Sequence, residues 1–235
     1  MTTILINNIN FSYSSPSEKY NEELIRNLSL ELNSKGIFTI LGPSGIGKTT
    51  LLKLLAKLLY PRAGSIMTDP ESPKISLVSQ YASLLPYKTV EDNLKLAVKL
   101  FRDPLIFEFA HFMLKEFGLE NVEWKYPNQL SGGMKQRVSF IKAMSIKPDI
   151  LLLDEPFANI DELNKNIIIN YLKKYLENHE MIVLLVTHNV MDALMFSNKV
   201  FVINTKPFSK LIEFEYSDVN RRTYKRLLKC LEEKS

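Results

Sequence analysis

The stretch Gly42-Pro43-Ser44-Gly45-Ile46-Gly47-Lys48-Thr49-Thr50 stands between two apolar runs, Ile37–Leu41 and the leucine-rich Leu51–Leu59. The first run is too short for a helix and reads as a buried strand; the second reads as a helix. Between them, glycines let the backbone wrap tightly enough for its N–H groups to converge on phosphate oxygens. The N-terminus of the following helix adds partial positive charge. In that setting Lys48 reaches the β and γ phosphates, and the Thr49 hydroxyl is placed to ligate Mg²⁺. Residues 42–50 therefore predict a P-loop, a cradle for nucleotide phosphates.

Outward from this loop, short β-branched runs alternate with longer helical stretches. Strands are expected at Ile37–Leu41, Lys74–Val78, Ile150–Leu153, Ile182–Val186 and Val200–Asn204. They are nearly continuous in apolar residues, as strands buried on both faces are. Helices are expected at Lys48–Leu59, Thr89–Leu100, Leu105–Phe117, Met134–Ser145, Glu162–Glu177 and Val190–Phe196. The alternation predicts an α/β fold, a nucleotide-binding core with a mainly parallel sheet. Ile4–Tyr13 and Leu28–Leu32 read as strands of an N-terminal antiparallel flank. The strand-free stretch around 89–145 reads as a small helical subdomain within a single domain, residues 1–235. Gly64–Lys74, with Pro70 and Pro73, reads as too short to complete the antiparallel flank.

Ile150-Leu-Leu-Leu153-Asp154-Glu155 is a buried strand with two carboxylates at its carboxyl end. Open parallel sheets place their ligands there. Asp154 suits the Mg²⁺-holding aspartate that partners a P-loop, and Glu155 is the candidate to orient or deprotonate water.

Composition excludes several classes. In 235 residues, 46% are hydrophobic and 24% charged, values of a globular protein with a core. The single cysteine, Cys230, excludes an internal disulfide framework. Residues 1–9 lack the basic start and apolar core of a leader. The longest apolar run, Met181–Val186, is six residues, whereas a membrane span needs about 20. The net charge of +4 is contained entirely in the tail, where residues 219–235 carry six basic and two acidic side chains. A nucleic-acid binder usually has a basic body, so no nucleic-acid partner is expected. A run of this kind is ordinarily a solvated helix face, with anionic lipid or a membrane partner as the alternative. His111 and His179 read as surface residues, Trp124 as a packing or interface residue, and Met191 and Met195 as core.

A third element, Leu130-Ser131-Gly132-Gly133-Met134-Lys135-Gln136-Arg137, begins 88 residues after Gly42. A serine cap and free N–H groups make it a second anion site at a helix start. With it the sequence resembles the ATP-binding subunits of ABC transporters, over nearly the whole chain and with the motifs in family order. The resemblance implies that Gln80 contacts Mg²⁺ and water, and that Asp161, in Ala158-Asn159-Ile160-Asp161, belongs to the D-loop. It implies that His188 acts on the γ-phosphate and that Tyr13 stacks on adenine. Asn159-Ile160 and Lys135 depart from the usual family residues. Gln80-Tyr-Ala-Ser-Leu84-Leu85-Pro86-Tyr87 resembles the nitrate, sulfonate and taurine importer branch, with Tyr87 where that branch has tryptophan. Thiamine-precursor importers remain an open alternative.

The resemblance implies an ATPase on the cytoplasmic face of the cell membrane. Lys48, Gln80, Glu155 and His188 would be its catalytic residues, and Thr49, Gln80 and Asp154 its Mg²⁺ contacts. Implied partners are a second copy in a head-to-tail ATP sandwich, membrane-spanning permease subunits and an extracytoplasmic solute-binding protein. A soluble ABC ATPase acting on nucleic acid or ribosomes is the alternative, as is a nucleotide-dependent module without turnover. The 88-residue spacing leaves no room for a long coiled-coil arm, and the presence of Glu155 and His188 argues for turnover.

Overall fold

The structure, a computed structural model, describes residues 2–13, 23–157, 160–214 and 219–232. In chain order it begins with β1 (Thr3–Phe11), β2 (Ile25–Leu32), β3 (Gly36–Leu41), α1 (Lys48–Leu55) and β4 (Ala63–Asp69). Next come β5 (Ile75–Val78), α2 (Val90–Phe101), α3 (Leu105–Glu116), α4 (Gly132–Ser145), β6 (Ile150–Asp154) and α5 (Glu162–Asn178). It continues with β7 (Ile182–Thr187), α6 (Val190–Phe196), β8 (Lys199–Val202), β9 (Ile212–Phe214) and α7 (Arg221–Glu232). These elements fall into two compact units: Met1–Pro73 with Ile182–Ser235, and Lys74–Met181. The expected helical subdomain lies within the second unit.

In the first unit β3 pairs in parallel with both β7 and β8, and β9 runs antiparallel to β8. Every residue of β3 and β7 is buried, which is why both runs consist mostly of Ile, Val, Leu and Phe, with Thr39 buried among them in β3. The flank obeys the other rule: β1 and β2 alternate buried and open positions, as a sheet with one wet face does. The flank has three strands, in the order β2-β1-β4, so the shortness of Gly64–Lys74 did not truncate it. Gly64 makes the close approach possible. Its φ is +82°, and a Cβ there would lie 2.4 Å from the carbonyl oxygens of Asn7 and Asn8.

Helix α1 ends at Leu55, short of the expected Leu59. Lys57 takes a left-handed φ of 57°, and the Leu58 N–H returns 2.9 Å to the Lys53 carbonyl. This is a Schellman-type stop made without glycine. Helix α6 corrects the methionine expectation. Val190, Ala193, Leu194 and Phe196 form its inward stripe, leaving Met191 and Met195, four residues apart, 43% and 41% exposed.

The second unit holds the parallel pair β5–β6 with helices α2 to α5. Its core includes Leu94, Ile106, Met113, Phe117, Val138, Phe140 and Ile141. His111 is half-buried, with its ring edge-on to Phe107 at 4.4 Å, rather than a surface residue. His179 is exposed and stacks on Tyr175 at 3.9 Å. Trp124 is 75% exposed, so it does not serve packing within this chain.

Candidate functional site

In the first unit, β3 delivers the chain into Gly42, whose N–H bonds to the Thr187 carbonyl at 3.2 Å. Alanine could not stand at 42, because its Cβ would meet the side chain and carbonyl oxygen of Ile203 at 2.6 Å. Gly45 and Gly47 take φ of +79° and +116°, and Gly47 occupies the N-cap position of α1. Pro43, Ser44 and Gly45 at the loop crest are open, as is Thr49, while Ile46 and Thr50 are buried. Lys48 is only 6% exposed. Its Nζ donates to the carbonyls of Gly42 at 2.7 Å and Pro43 at 2.8 Å, so the ammonium is held over the loop it belongs to.

Tyr13 is 51% exposed. It meets Phe11 edge-on at 5.0 Å, and its hydroxyl lies 3.1 Å from Thr50 Oγ1. The ring expected to stack on adenine therefore stands against the first turn of the phosphate-loop helix. His188 occupies the exposed turn between β7 and α6. That turn is built by its neighbours: Asn189 N–H donates to Thr187 Oγ1 at 3.0 Å, and Asn189 Oδ1 caps α6 by accepting from Met191 and Asp192 N–H.

In the second unit, Asp154 ends β6 and is 8% exposed. Glu155 follows with a φ of 46°, a left-handed backbone for a non-glycine residue and a feature that clusters at functional sites. Gln80 follows β5 and is exposed. Ser131 caps α4, accepting the Met134 N–H at 3.2 Å. Gly132 opens that helix, two residues earlier than expected. At Gly132 an added Cβ would meet nothing within 4 Å; at Gly133 it would meet only Asn164 Nδ2, at 3.7 Å. Asp161 caps α5, accepting the Asn164 N–H at 2.9 Å, and these hydrogen bonds hold its carboxyl below the usual carboxylate range. Ala158 and Asn159 of the expected D-loop lie outside the described residues.

The structure adds residues that the motifs did not single out. Gln136 is buried, and its Nε2 donates to the Ser79 carbonyl at 3.3 Å. Two turns along α4, Lys142 Nζ donates to the Ser83 carbonyl at 2.9 Å, and burial pushes its pKa down. One helix thus carries the Ser131 cap at its start and grips the Gln80 loop on both sides. Asn93 is fully buried and binds Leu85, Lys88 and Thr89. Arg137 Nη1 donates to the Phe117 carbonyl at 2.6 Å; burial lowers its pKa, and Asp161 acts in the opposite direction. Beside the loop runs a groove of about 550 Å³, lined mainly by Ile75, Leu77, Leu96, Phe101 and Ile146, with Lys99 and Lys142. The periodicity of α2 and α4 marked these side chains as helical, without showing which carbonyl each would reach.

A strand, a left-handed glycine loop and a helix carrying a buried lysine define a P-loop nucleotide-binding fold. The chain belongs to the ABC transporter family, which matches residues 25–158. Members of that family hydrolyse ATP to power transport, and this chain is an ATP-hydrolysing subunit of that kind. The formylaminopyrimidine import ATP-binding protein of Halalkalibacterium halodurans is 34% identical, over 91% of this chain and 84% of its own length. The nitrate import ATP-binding protein of Synechococcus elongatus is 34% identical, over 80% and 72%. A solved ATP-binding cassette, a dimer in a post-hydrolysis state with ADP and phosphate, matches with a TM-score of 0.80. It is 26% identical, with coverage of 91% of this chain and 100% of that one.

Proposed function

We propose that this chain energises import of a small solute of the nitrate, sulfonate and taurine class. It would work on the cytoplasmic face of a membrane, as one of two copies beneath permease subunits served by an extracytoplasmic solute-binding protein. The observation that carries this function is the strand–glycine loop–helix geometry with Lys48 buried over the loop. The Leu84-Leu85-Pro86-Tyr87 segment and the nitrate importer relative support the solute class. No described helix is long and apolar enough to cross a membrane.

Residues 42–50 bind the phosphates of ATP, with the α1 N-terminus and Lys48 drawing negative charge. Tyr13 faces the adenine end. Mg²⁺ suits the donor set of Thr49 hydroxyl, Asp154 carboxylate and Gln80 amide oxygen, hard oxygens of the kind it takes alongside substrate phosphates. Bound there, it supplies positive charge to the phosphate oxygens. Glu155 accepts a proton from the attacking water, and His188 contacts the γ-phosphate oxygens. Ser131, Gly132 and Gly133 present a second helix N-terminus, which closes over the ATP held by the partner copy in a head-to-tail sandwich; Asp161 fixes the start of the neighbouring helix. The groove beside residues 79–83 takes an apolar helix of a permease subunit. Leu84 and Leu85 are half-buried there and Tyr87 is 71% exposed, apolar surface left for a partner.

Glu155→Gln tests the catalytic assignment. It keeps ATP binding while hydrolysis falls by ~10²–10⁴, the range for a positioned general base. Hydrolysis at the parent rate would remove Glu155 from its role.

A further inference from the structure

Helix α7 puts Thr223 and Leu227 into the first unit's core, with Tyr224, Leu228, Cys230 and Leu231 packed against the same cluster. Its apolar face is therefore already used. Every exposed position from 221 to 229 is basic: Arg221, Arg222, Lys225, Arg226 and Lys229. Together they line a shallow cleft of about 630 Å³, with no other contributor among the described residues. Arg226 lies 5.2 Å from the Phe214 ring centroid. Arg221, Arg222 and Lys225 form no ion pair among the described residues. The nearest carboxylate in the helix is Glu232, at its last position.

The arrangement works against the helix that carries it. Arg221/Lys225, Arg222/Arg226 and Lys225/Lys229 are like charges four residues apart, which destabilise a helix. Arg221 and Arg222 also sit in the first turn, where the macrodipole disfavours cations. The rest of the chain is neutral overall, so nothing at long range calls for this cluster. An external anion would relieve both the repulsion and the unfavourable dipole position.

We propose that this face of α7 adsorbs to a bilayer surface rich in anionic lipid headgroups. Protein partners anchor on aromatic and apolar side chains buried in pockets, and this face exposes none between 221 and 229. A headgroup surface needs only charge density, and clusters of four to eight Lys and Arg on an amphipathic helix bind it. A second copy of the same face is excluded by like charge. The proposal rests on the membrane location given above, and extends it to a contact that no permease subunit mediates.

The test uses the full chain without nucleotide or permease, co-sedimented with vesicles of phosphatidylcholine alone or with about one third phosphatidylglycerol. The parent binds only the anionic vesicles, and binding collapses between ~0.05 and ~0.3 M salt. The triple variant Arg221→Gln, Arg222→Gln, Lys225→Gln loses affinity by about 10²-fold. The variant with Arg221→Lys and Arg222→Lys keeps it. Equal binding of the Gln variant, or equal binding to both vesicle types, overturns the proposal. So does displacement from vesicles by short duplex DNA at equal phosphate concentration, which would make the face a nucleic-acid surface. ATPase is measured on the same samples. Intact ATPase without vesicle binding defeats only this proposal, whereas vesicle binding without ATPase defeats the proposed function and leaves this face standing.

Discussion

Asn93→Ala separates the ATPase site from the surface that would pass its motion on. The Asn93 side chain is 0% exposed and holds the 85–89 segment from beneath. Its Oδ1 accepts the Leu85 N–H at 2.7 Å, and its Nδ2 donates to the carbonyls of Leu85 (3.2 Å), Lys88 (3.2 Å) and Thr89 (2.9 Å). Two of these carbonyls have a second donor: Leu85 O takes the Lys88 N–H at 3.1 Å, and Thr89 O takes the Asn93 N–H at 3.0 Å. The substitution therefore strands chiefly the Leu85 N–H and weakens the bonding at Lys88. At about 1 kcal/mol for each net bond, and more for a donor left dry, the local loss comes to about 2–3 kcal/mol. Amide exchange at Leu85 should then rise by about 10²-fold while exchange in β3 and β7 holds. ATP binding should be unchanged, and stimulation of hydrolysis by the permease should fall. Asn93→Asp keeps the acceptor for Leu85 but loses the three donor bonds, so it should protect Leu85 better than alanine does. Exchange at Leu85 altered by less than about threefold in the alanine variant would refute the clamp.

Leu85→Asp with Tyr87→Asp should leave basal ATPase largely intact and abolish recruitment to permease-containing membranes; membrane binding equal to the parent's would remove the segment from the docking surface. Ser131→Arg should leave ATP affinity of the dilute monomer nearly unchanged, but prevent the ATP-induced dimer in a Glu155→Gln background, as sedimentation would show. A loss of monomer affinity like that of Lys48→Ala would place Ser131 on the chain's own ATP and end the head-to-tail arrangement. Lys142 has its pKa depressed by burial from 10.5. The unfolded chain therefore binds more protons in the window below 10.5, and this lysine's contribution to stability rises with pH there. Denaturant melts of the parent and Lys142→Gln should show the parent gaining relative to the variant from neutral pH toward 10.5; a constant difference would mean the ammonium is fully solvated.

The strand–loop–helix geometry of residues 37–55 was legible in the chain because it is a local code. A P-loop needs only a strand, glycines at fixed offsets and a helix start, all within residues 37–59. Ser131 announced a helix N-terminus by residue type and caps as such, whereas the cap that Asp161 makes was not read from its residue type. Burial of both faces showed in β3, β6 and β7 as nearly continuous apolar runs, because no alternation is needed where no face is wet. Element ends were less legible: α1 ends at Leu55, just before a left-handed turn at Lys57 that no glycine marked in the sequence.

Other features took their form from tertiary contacts. The sequence alone determined that this chain is an α/β P-loop protein, with an acidic strand end and a second capped helix. Only the folded chain decided that Met191 and Met195 face outward, since a seven-residue helix has two possible apolar stripes and packing selects one. It decided that Gln136 and Lys142 each bind one particular carbonyl and that Asn93 binds the Leu85 N–H and carbonyl, because hydrogen-bond partners 57, 59 and 8 residues away are set by how helices lie on loops. It decided that α7 spends its apolar face on the core and leaves five cations outward, where the composition showed only a basic tail. Periodicity along one chain specifies which side chains share a face; what that face meets is set by contacts between segments distant in sequence.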